Sequence, residues 1–275
     1  MCVKRLLPLF LVLVAMSASG QRLDADITYT PAGWPEPLLA DLYRPSGAGP
    51  YPVVLMVHGG GWRSGDRKDH HVASLCRKLA DAGIACLSVS YRLGVAGRYP
   101  ASGDDLRQAL RWIRRAGADH GLDATRTGAW GYSAGAHLVA LLGAEPGADP
   151  EAARLRAVVA GGTPADLRLW PDSDMVNAYL GVSRAADPAR WARASPVTRV
   201  NAGSAPFFLY HGRLDNLVEP EQAERLRDAL QAAGVAVTLR WLPYSGHISA
   251  ALFPGQVGDE AVRFLQKALG PAGRH

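Results

Sequence analysis

The sequence predicts one α/β domain built on a mostly parallel central sheet with helices on both faces. Short apolar runs alternate with longer helical segments through most of the chain. Several of the runs, such as Tyr51–Val57, are apolar at nearly every position, which is typical of strands buried on both faces. Because 48% of the 275 residues are hydrophobic and no Pro/Ser-rich linker divides them, we expect a single core.

The first 20 residues have the composition of an export signal. Lys4-Arg5 precede the apolar run Leu6–Met16, and small residues follow at 18–20, as signal peptidase requires. We expect cleavage near Gly20/Gln21, which leaves residues 21–275 as one exported domain, periplasmic or secreted. The apolar run is about half the ~20 residues that a membrane span needs, so we expect no stable membrane anchor.

Eight strands are predicted from short apolar runs bounded by turn residues. We expect the first two to pair antiparallel, because a Pro/Gly-rich turn around Ala32–Pro37 joins them. In chain order the predicted strands are Asp26–Thr30, Leu38–Tyr43, Tyr51–Val57, Ile84–Ser90, Arg126–Trp130, Ala157–Ala160, Pro206–His211 and Val235–Leu242.

Five helices are predicted between these strands. Gly83 is expected to end the first helix, and Ser102 is expected to cap the second, whose apolar residues recur on one face. The predicted helices are about His71–Ala82, Ser102–Ala116, Ala134–Gly143, Pro220–Ala233 and Gln256–Leu269. In such an alternating chain the functional groups lie on loops at the carboxyl ends of the strands.

The regular alternation breaks at about residues 163–200. This segment contains several prolines and the large side chains Trp170, Met175, Tyr179 and Trp191, and it is longer than an ordinary connection. Long insertions at strand ends commonly form binding walls. Two interpretations stay open: a small cap over a site, or an insertion whose aromatic residues only pack against the body.

A candidate nucleophile lies in Trp130-Gly131-Tyr132-Ser133-Ala134-Gly135, between a predicted strand and a predicted helix. This G-x-S-x-G pattern places Ser133 on a turn that is tight enough to need glycine on both sides. A serine hydroxyl is a poor nucleophile until a base takes its proton, and its attack on a carbonyl creates an oxyanion that needs donors.

A base and an orienting acid follow later in the chain. Asp215 lies after the strand ending at His211, and His247 lies in the loop after the last predicted strand. Histidine titrates near neutral pH, so His247 can take the Ser133 proton, and Asp215 can fix the imidazole tautomer. The alternatives Asp166 and Asp187 do not follow a strand.

The expected oxyanion donors come from the run His58-Gly59-Gly60-Gly61-Trp62. Successive glycines let backbone amides approach a ligand with no Cβ in the way. We expect the amides of Gly60, Gly61 and Ala134 to form an oxyanion hole. Trp62 and Tyr132 are expected to border the substrate pocket.

The remaining polar and sulfur residues predict neither a metal site nor a nucleic-acid site. Basic residues are mixed with acidic ones along the chain, whose formal net charge is +5, so no basic stripe is expected. The adjacent His70-His71 are expected to be surface residues that diverge in direction. Cys76 and Cys86 have no metal-site spacing and are interpreted as two buried free thiols, with a disulfide as the open alternative.

Motifs along nearly the whole chain after residue 20 resemble the α/β-hydrolase superfamily, and within it the exported bacterial esterases with an H-G-G-G-W run, near the hormone-sensitive-lipase-like and feruloyl-esterase-like groups. The matching motifs are Ser90-Tyr91-Arg92-Leu93, Tyr99-Pro100 before Asp105, Arg111-Trp112, Gly131–His137, Ser195-Pro196-Val197, His211-Gly212 with Asp215, and Gly246-His247. Ala136 and Glu219 depart from the family pattern. The resemblance implies catalytic roles for Ser133, Asp215 and His247, and oxyanion roles for Gly60, Gly61 and Ala134.

The function expected from these residues is a serine carboxylic-ester hydrolase that works through an acyl-enzyme on a small-molecule or polymer-derived ester, with no cofactor and no metal. One alternative keeps the same triad but uses it on amides, as formamidases and peptidase-like enzymes do. A third possibility is a binding protein without turnover. The acyl and alcohol parts of the substrate and the oligomeric state stay open.

Overall fold

The structure is a computed structural model that describes residues 20–270. The expected export signal therefore lies outside the described residues, apart from Gly20. Within the described part of the chain, no helix is both long and apolar enough to cross a membrane.

One eight-stranded sheet forms the centre of the molecule, in the order β1-β2-β4-β3-β5-β6-β7-β8. The first strand pairs antiparallel with the second, the second pairs antiparallel with the fourth, and all other neighbours are parallel. The strands are β1 Arg22–Thr28, β2 Leu39–Arg44, β3 Tyr51–Val57, β4 Ala85–Val89, β5 Leu122–Tyr132, β6 Leu155–Gly161, β7 Phe207–Gly212 and β8 Val237–Leu242.

Eight α-helices connect or flank these strands in the described residues. They are α1 His70–Asp81, α2 Ala101–Ala116, α3 Ala134–Ala144, α4 Asp174–Leu180, α5 Pro188–Arg193, α6 Pro220–Ala232, α7 His247–Leu252 and α8 Gly255–Leu269. Helices α2, α3 and α6 pack in the apolar core on one face of the sheet, whereas α1 and α8 pack in the core on the other.

Strand β3 contributes side chains to the apolar cores on both faces of the sheet. Val53, Leu55 and Val57 face the first core, while Val54 and Met56 face the second. Successive side chains of a strand point to opposite faces, so a strand covered on both sides must be apolar throughout. The predicted mostly parallel sheet with helices on both faces is therefore confirmed.

The predicted strands all form, and two local predictions about helices are wrong. Ser102 does not cap α2: the helix starts one residue earlier, after Pro100, and the Ser102 hydroxyl lies inside it, 3.3 Å from the Tyr179 hydroxyl. Helix α7 was expected to be loop. It is a short helix that begins at His247.

The two cysteines of the described residues are joined, contrary to the free-thiol interpretation. Cys76 in α1 and Cys86 in β4 form a disulfide, with their Cα atoms 5.2 Å apart. Helix α1 packs over the strand that follows it, and this contact brings the two sulfurs together. Such bonds persist in oxidising compartments.

The segment from 163 to 200 contains α4, α5 and short 3₁₀ turns, and it is anchored to the body by buried polar side chains. The Gln222 side-chain oxygen accepts hydrogen bonds from the Ala165 and Asp166 amides, at 2.8 and 2.6 Å. Trp191 is fully buried at 0% exposure. Part of this insertion therefore belongs to the core.

Candidate active site

Ser133 lies at the sharp turn between β5 and α3, in the strained conformation predicted from the motif. Its φ and ψ angles are 54° and −122°, a region that non-glycine residues rarely adopt. The flanking glycines are required by close backbone contacts. A Cβ on Gly131 would lie 2.4 Å from the carbonyl carbon of Gly135, and one on Gly135 would lie 2.2 Å from the carbonyl oxygen of Val57.

Ser133, His247 and Asp215 form a continuous chain of hydrogen bonds. The Ser133 Oγ is 2.9 Å from His247 Nε2, and His247 Nδ1 is 2.7 Å from Asp215 Oδ2. An ionised carboxylate can only accept, so the proton of the neutral imidazole is on Nδ1. Nε2 is then free to accept the proton of the serine hydroxyl.

Asp215 is held as a carboxylate by several donors. Burial opposes its ionisation, but hydrogen bonds from His211, His247 and the Val218 amide outweigh that effect and keep the pKa of Asp215 well below its usual value. Its Oδ1 atom accepts from the amides of Leu217 and Val218, at 3.0 and 2.9 Å. The acid is therefore ionised throughout the neutral pH range.

Two further residues, which the sequence did not place here, contact Asp215 and His247. His211 Nε2 lies 3.3 Å from Asp215 Oδ2 and donates to the Val218 carbonyl at 2.7 Å. The Tyr132 hydroxyl donates to the His247 carbonyl at 2.6 Å. His211 was visible as the first residue of an H-G-x-x-D run, but nothing in the sequence indicated that Tyr132 reaches His247.

The glycine run after β3 borders the same cavity as Ser133. Gly60 and Gly61 have φ angles of +116° and +60°, and a Cβ on Gly60 would lie 2.0 Å from the Ser64 carbonyl oxygen. Within residues 20–270 the amides of these two glycines donate no hydrogen bond. Ala134 is the first residue of α3, so its amide has no partner within the helix.

Trp62 does border the cavity, but most of its ring is inside the protein. Its indole is 2% exposed and stacks on Tyr179, with ring centroids 4.5 Å apart. The indole Nε1 donates to His137 Nδ1 at 3.2 Å, and His137 Nε2 donates to the Ala194 carbonyl at 2.8 Å. A chain of two hydrogen bonds thus joins the glycine loop, helix α3 and the 163–200 segment.

The buried position of His137 predicts a pH-dependent stability. Burial lowers the pKa of His137 from 6.5 to about 4. Below pH 6.5 the unfolded chain binds a proton that the folded protein excludes until about pH 4, so stability falls as the pH decreases across this window. We expect this group to reduce the free energy of unfolding by about 2 kcal/mol between pH 7 and pH 5.

Urea unfolding at pH 7 and pH 5 measures this loss, with His137→Gln as the matched variant because glutamine does not titrate. Other groups contribute equally to both proteins, so the difference between them isolates His137. The expected result is a smaller loss of stability in the variant. An identical loss in both proteins would contradict the prediction.

A cavity of about 410 Å³ opens over Ser133 and His247. The apolar part of its wall includes Leu217 after β7 and residues of α7 and of the 163–200 segment. The polar part comes from residues that follow the glycine loop or begin α1. The lining side chains include Arg63, Asp69, His71, Trp170, Met175, Leu217, Ile248 and Leu252.

Trp170 forms part of this wall and is fixed by one of the residues that depart from the family pattern. Its indole Nε1 donates to the Glu219 carboxylate at 2.8 Å. Glu219 follows the turn that carries Asp215, so this bond joins the 163–200 segment to the turn of the acid.

The two adjacent histidines differ from the expectation that both are surface residues. His70 is exposed, but His71 is half-buried and borders the cavity, and burial lowers its pKa. No group of three or more His, Cys, Asp or Glu side chains that could hold a metal ion occurs in the described residues. His71 is a polar residue of the cavity wall.

Sequence comparison identifies the family of this site. A family model described as BD-FAE matches residues 40–230, which include the glycine loop, Ser133 and Asp215. The chain belongs to the BD-FAE family. The solved structures that are similar to this chain have the α/β-hydrolase fold that the sequence predicted.

Relatives and solved structures agree with this assignment. The chain is 28% identical over 261 residues to the probable carboxylic ester hydrolase LipM of Mycobacterium tuberculosis, covering 88% of this chain and 60% of LipM. It is 32% identical to the carboxylic ester hydrolase LipN of the same organism, covering 85% of this chain and 67% of LipN. It therefore spans less than two thirds of LipM.

A truncated carbohydrate esterase from gut microbiota has a similar structure, with a TM-score of 0.83. The two sequences are 22% identical, and the match covers 94% of this chain and 99% of the other. At this identity the likeness concerns the fold.

Proposed function

We propose that this protein is a serine carboxylic-ester hydrolase with Ser133 as nucleophile, His247 as general base and acid, and Asp215 as the orienting carboxylate. The observation that carries the proposal is the unbroken hydrogen-bond chain from Ser133 through His247 to Asp215, at 2.9 and 2.7 Å. The names of LipM and LipN, both carboxylic ester hydrolases, support it.

The proposed reaction begins when the Ser133 oxygen attacks the ester carbonyl carbon and its proton passes to His247 Nε2. The oxyanion accepts hydrogen bonds from the amides of Gly60, Gly61 and Ala134, whose donors are each worth on the order of 10²–10³ in rate in comparable sites. The imidazolium then donates its proton to the departing alcohol, which leaves an acyl group on Ser133.

Water completes the proposed cycle. His247 takes a proton from a water molecule, the resulting hydroxide attacks the acyl carbon, and the carboxylic acid leaves as Ser133 regains its proton. Asp215 keeps the imidazole in the required tautomer in both halves and stabilises its protonated form. No step needs a metal or an organic cofactor.

A fluorophosphonate reagent and a pair of substrates test this proposal. A reactive serine should bind the reagent covalently, and peptide mass analysis should locate the adduct on Ser133. Matched acetate ester and acetanilide substrates then separate an esterase from an amidase. Failure of Ser133 to react, or faster cleavage of the anilide than of the ester, would overturn the proposed assignment.

A further inference from the structure

A second cavity of about 310 Å³ lies beside the proposed active-site cavity. Gly61, Trp62, Arg63 and Met175 border both cavities, so the two spaces are neighbours that share part of their walls. The proposed function uses only the first cavity.

Met175 has a flexible side chain at the wall that the two cavities share. Its sulfur lies 2.8 Å from the position that a Cβ on Gly61 would occupy, so the thioether rests directly on the glycine loop. Methionine is unbranched and has three rotatable side-chain bonds, which let it adopt alternative positions at low cost. A change of its rotamer would join the two cavities beside the proposed oxyanion hole.

The walls of the second cavity match an apolar chain more closely than a polar group. The buried Tyr179, the exposed Ala178 and Val95, which is 76% exposed, supply carbon surface, and Met175 continues it toward the first cavity. The second cavity is therefore open to solvent along Val95 and Ala178. The charged side chains of Arg63, Arg98 and Asp174 also border this space. Burial of a chain methylene is worth about 0.8 kcal/mol.

We propose that the second cavity is a subsite for the far end of an elongated ester, whose unbranched apolar chain passes Met175 from the proposed active-site cavity. This proposal rests on the proposed ester hydrolysis and extends it to a class of substrate, medium-chain esters. Met175 is then a specificity-determining residue.

Three variants of the full chain test this subsite. Ala178→Phe adds a ring at the second cavity, because the exposed Ala178 borders that space and not the first, and Met175→Ala removes the methionine side chain that borders both. Ala185→Phe is the matched control, since Ala185 is an exposed alanine of the same insertion that borders neither cavity. The measured quantity is the ratio of kcat/KM for p-nitrophenyl octanoate to that for p-nitrophenyl acetate.

We expect Ala178→Phe to lower this ratio about tenfold, the effect of roughly two methylenes that lose their burial. Met175→Ala should raise the ratio, and the control should leave it unchanged. The same variants measured on octyl acetate and ethyl acetate show whether the long chain belongs to the acyl or the alcohol half, and an effect in either series supports the subsite.

A ratio that Ala178→Phe leaves unchanged in both series would overturn the subsite, even if Met175→Ala alters it, because the chain would then lie within the first cavity. If Ala178→Phe does not fold, Ala178→Leu fills less of the space and should lower the ratio by a smaller factor. Wild-type protein that hydrolyses none of the four esters would instead contradict the proposed function.

Discussion

Replacing Ser133 with alanine should lower kcat for p-nitrophenyl acetate by about 10⁴-fold or more, since loss of the nucleophile in comparable triads removes nearly all catalysis beyond that of the oxyanion hole. The hydroxyl is the group from which His247 Nε2 would take a proton, at 2.9 Å. Alanine leaves the backbone turn and the two glycine contacts in place, so the fold should be retained.

The control for this experiment is Ser74→Ala, which removes an exposed hydroxyl from α1. Both variants should unfold at the same temperature as the wild type, and Ser74→Ala should keep full activity. Substantial hydrolysis by Ser133→Ala at an unchanged melting temperature would mean that another group is the nucleophile.

Replacing Asp215 with asparagine should lower kcat about 10³–10⁴-fold, comparable to the effect of the same change in a serine-protease triad. The asparagine amide can donate a hydrogen bond to His247 Nδ1. Nδ1 is then an acceptor, so the proton of the neutral imidazole lies on Nε2. That nitrogen can no longer receive the Ser133 proton. The variant also loses the negative charge that stabilises protonated His247.

Asp187→Asn is the matched control because Asp187 was an alternative acid in the sequence. The structure places Asp187 at the N-cap of α5, where its carboxylate accepts from the Arg190 amide at 2.8 Å. Asparagine caps a helix as well as aspartate, so this variant should retain both stability and kcat. Equal losses of kcat in the two variants would argue that charge removal in general, and not the bond to His247, causes the effect.

The sequence was sufficient to predict the fold and the proximity of Ser133, Asp215 and His247, because both depend on local signals. Buried parallel strands must be apolar on both faces, and Ser133 and Asp215 follow such strands, whereas His247 follows the partly exposed edge strand β8. Neighbouring parallel strands end at the same edge of the sheet, so residues far apart in the chain meet there. Their positions after predicted strands, in the chain order Ser133, Asp215, His247, made the contact predictable before any distance was known.

Other features of the site depend on contacts between segments that have no common signal in the chain. The Cys76–Cys86 bond requires the particular packing of α1 on β4. The contact of Tyr132 with the His247 carbonyl spans 115 positions of sequence. Helix α7 has only six residues, too few for a helical period to be recognised. Ser102 is not the cap because α2 already begins at Ala101, with Pro100 at the N-cap position.

Two sets of hydrogen bonds connect the 163–200 segment to the candidate active site. One runs from Trp62 through His137 to Ala194, and the other joins Trp170 to Glu219. When a cap makes few contacts with the catalytic loops of a hydrolase, changes in the cap can alter the substrate range of the enzyme while kcat stays the same. Here the same segment is hydrogen-bonded to the loop of the proposed oxyanion donors and to the turn that carries Asp215. Variation in residues 163–200 should therefore change turnover and selectivity together, and a search for altered specificity in this segment must screen for both.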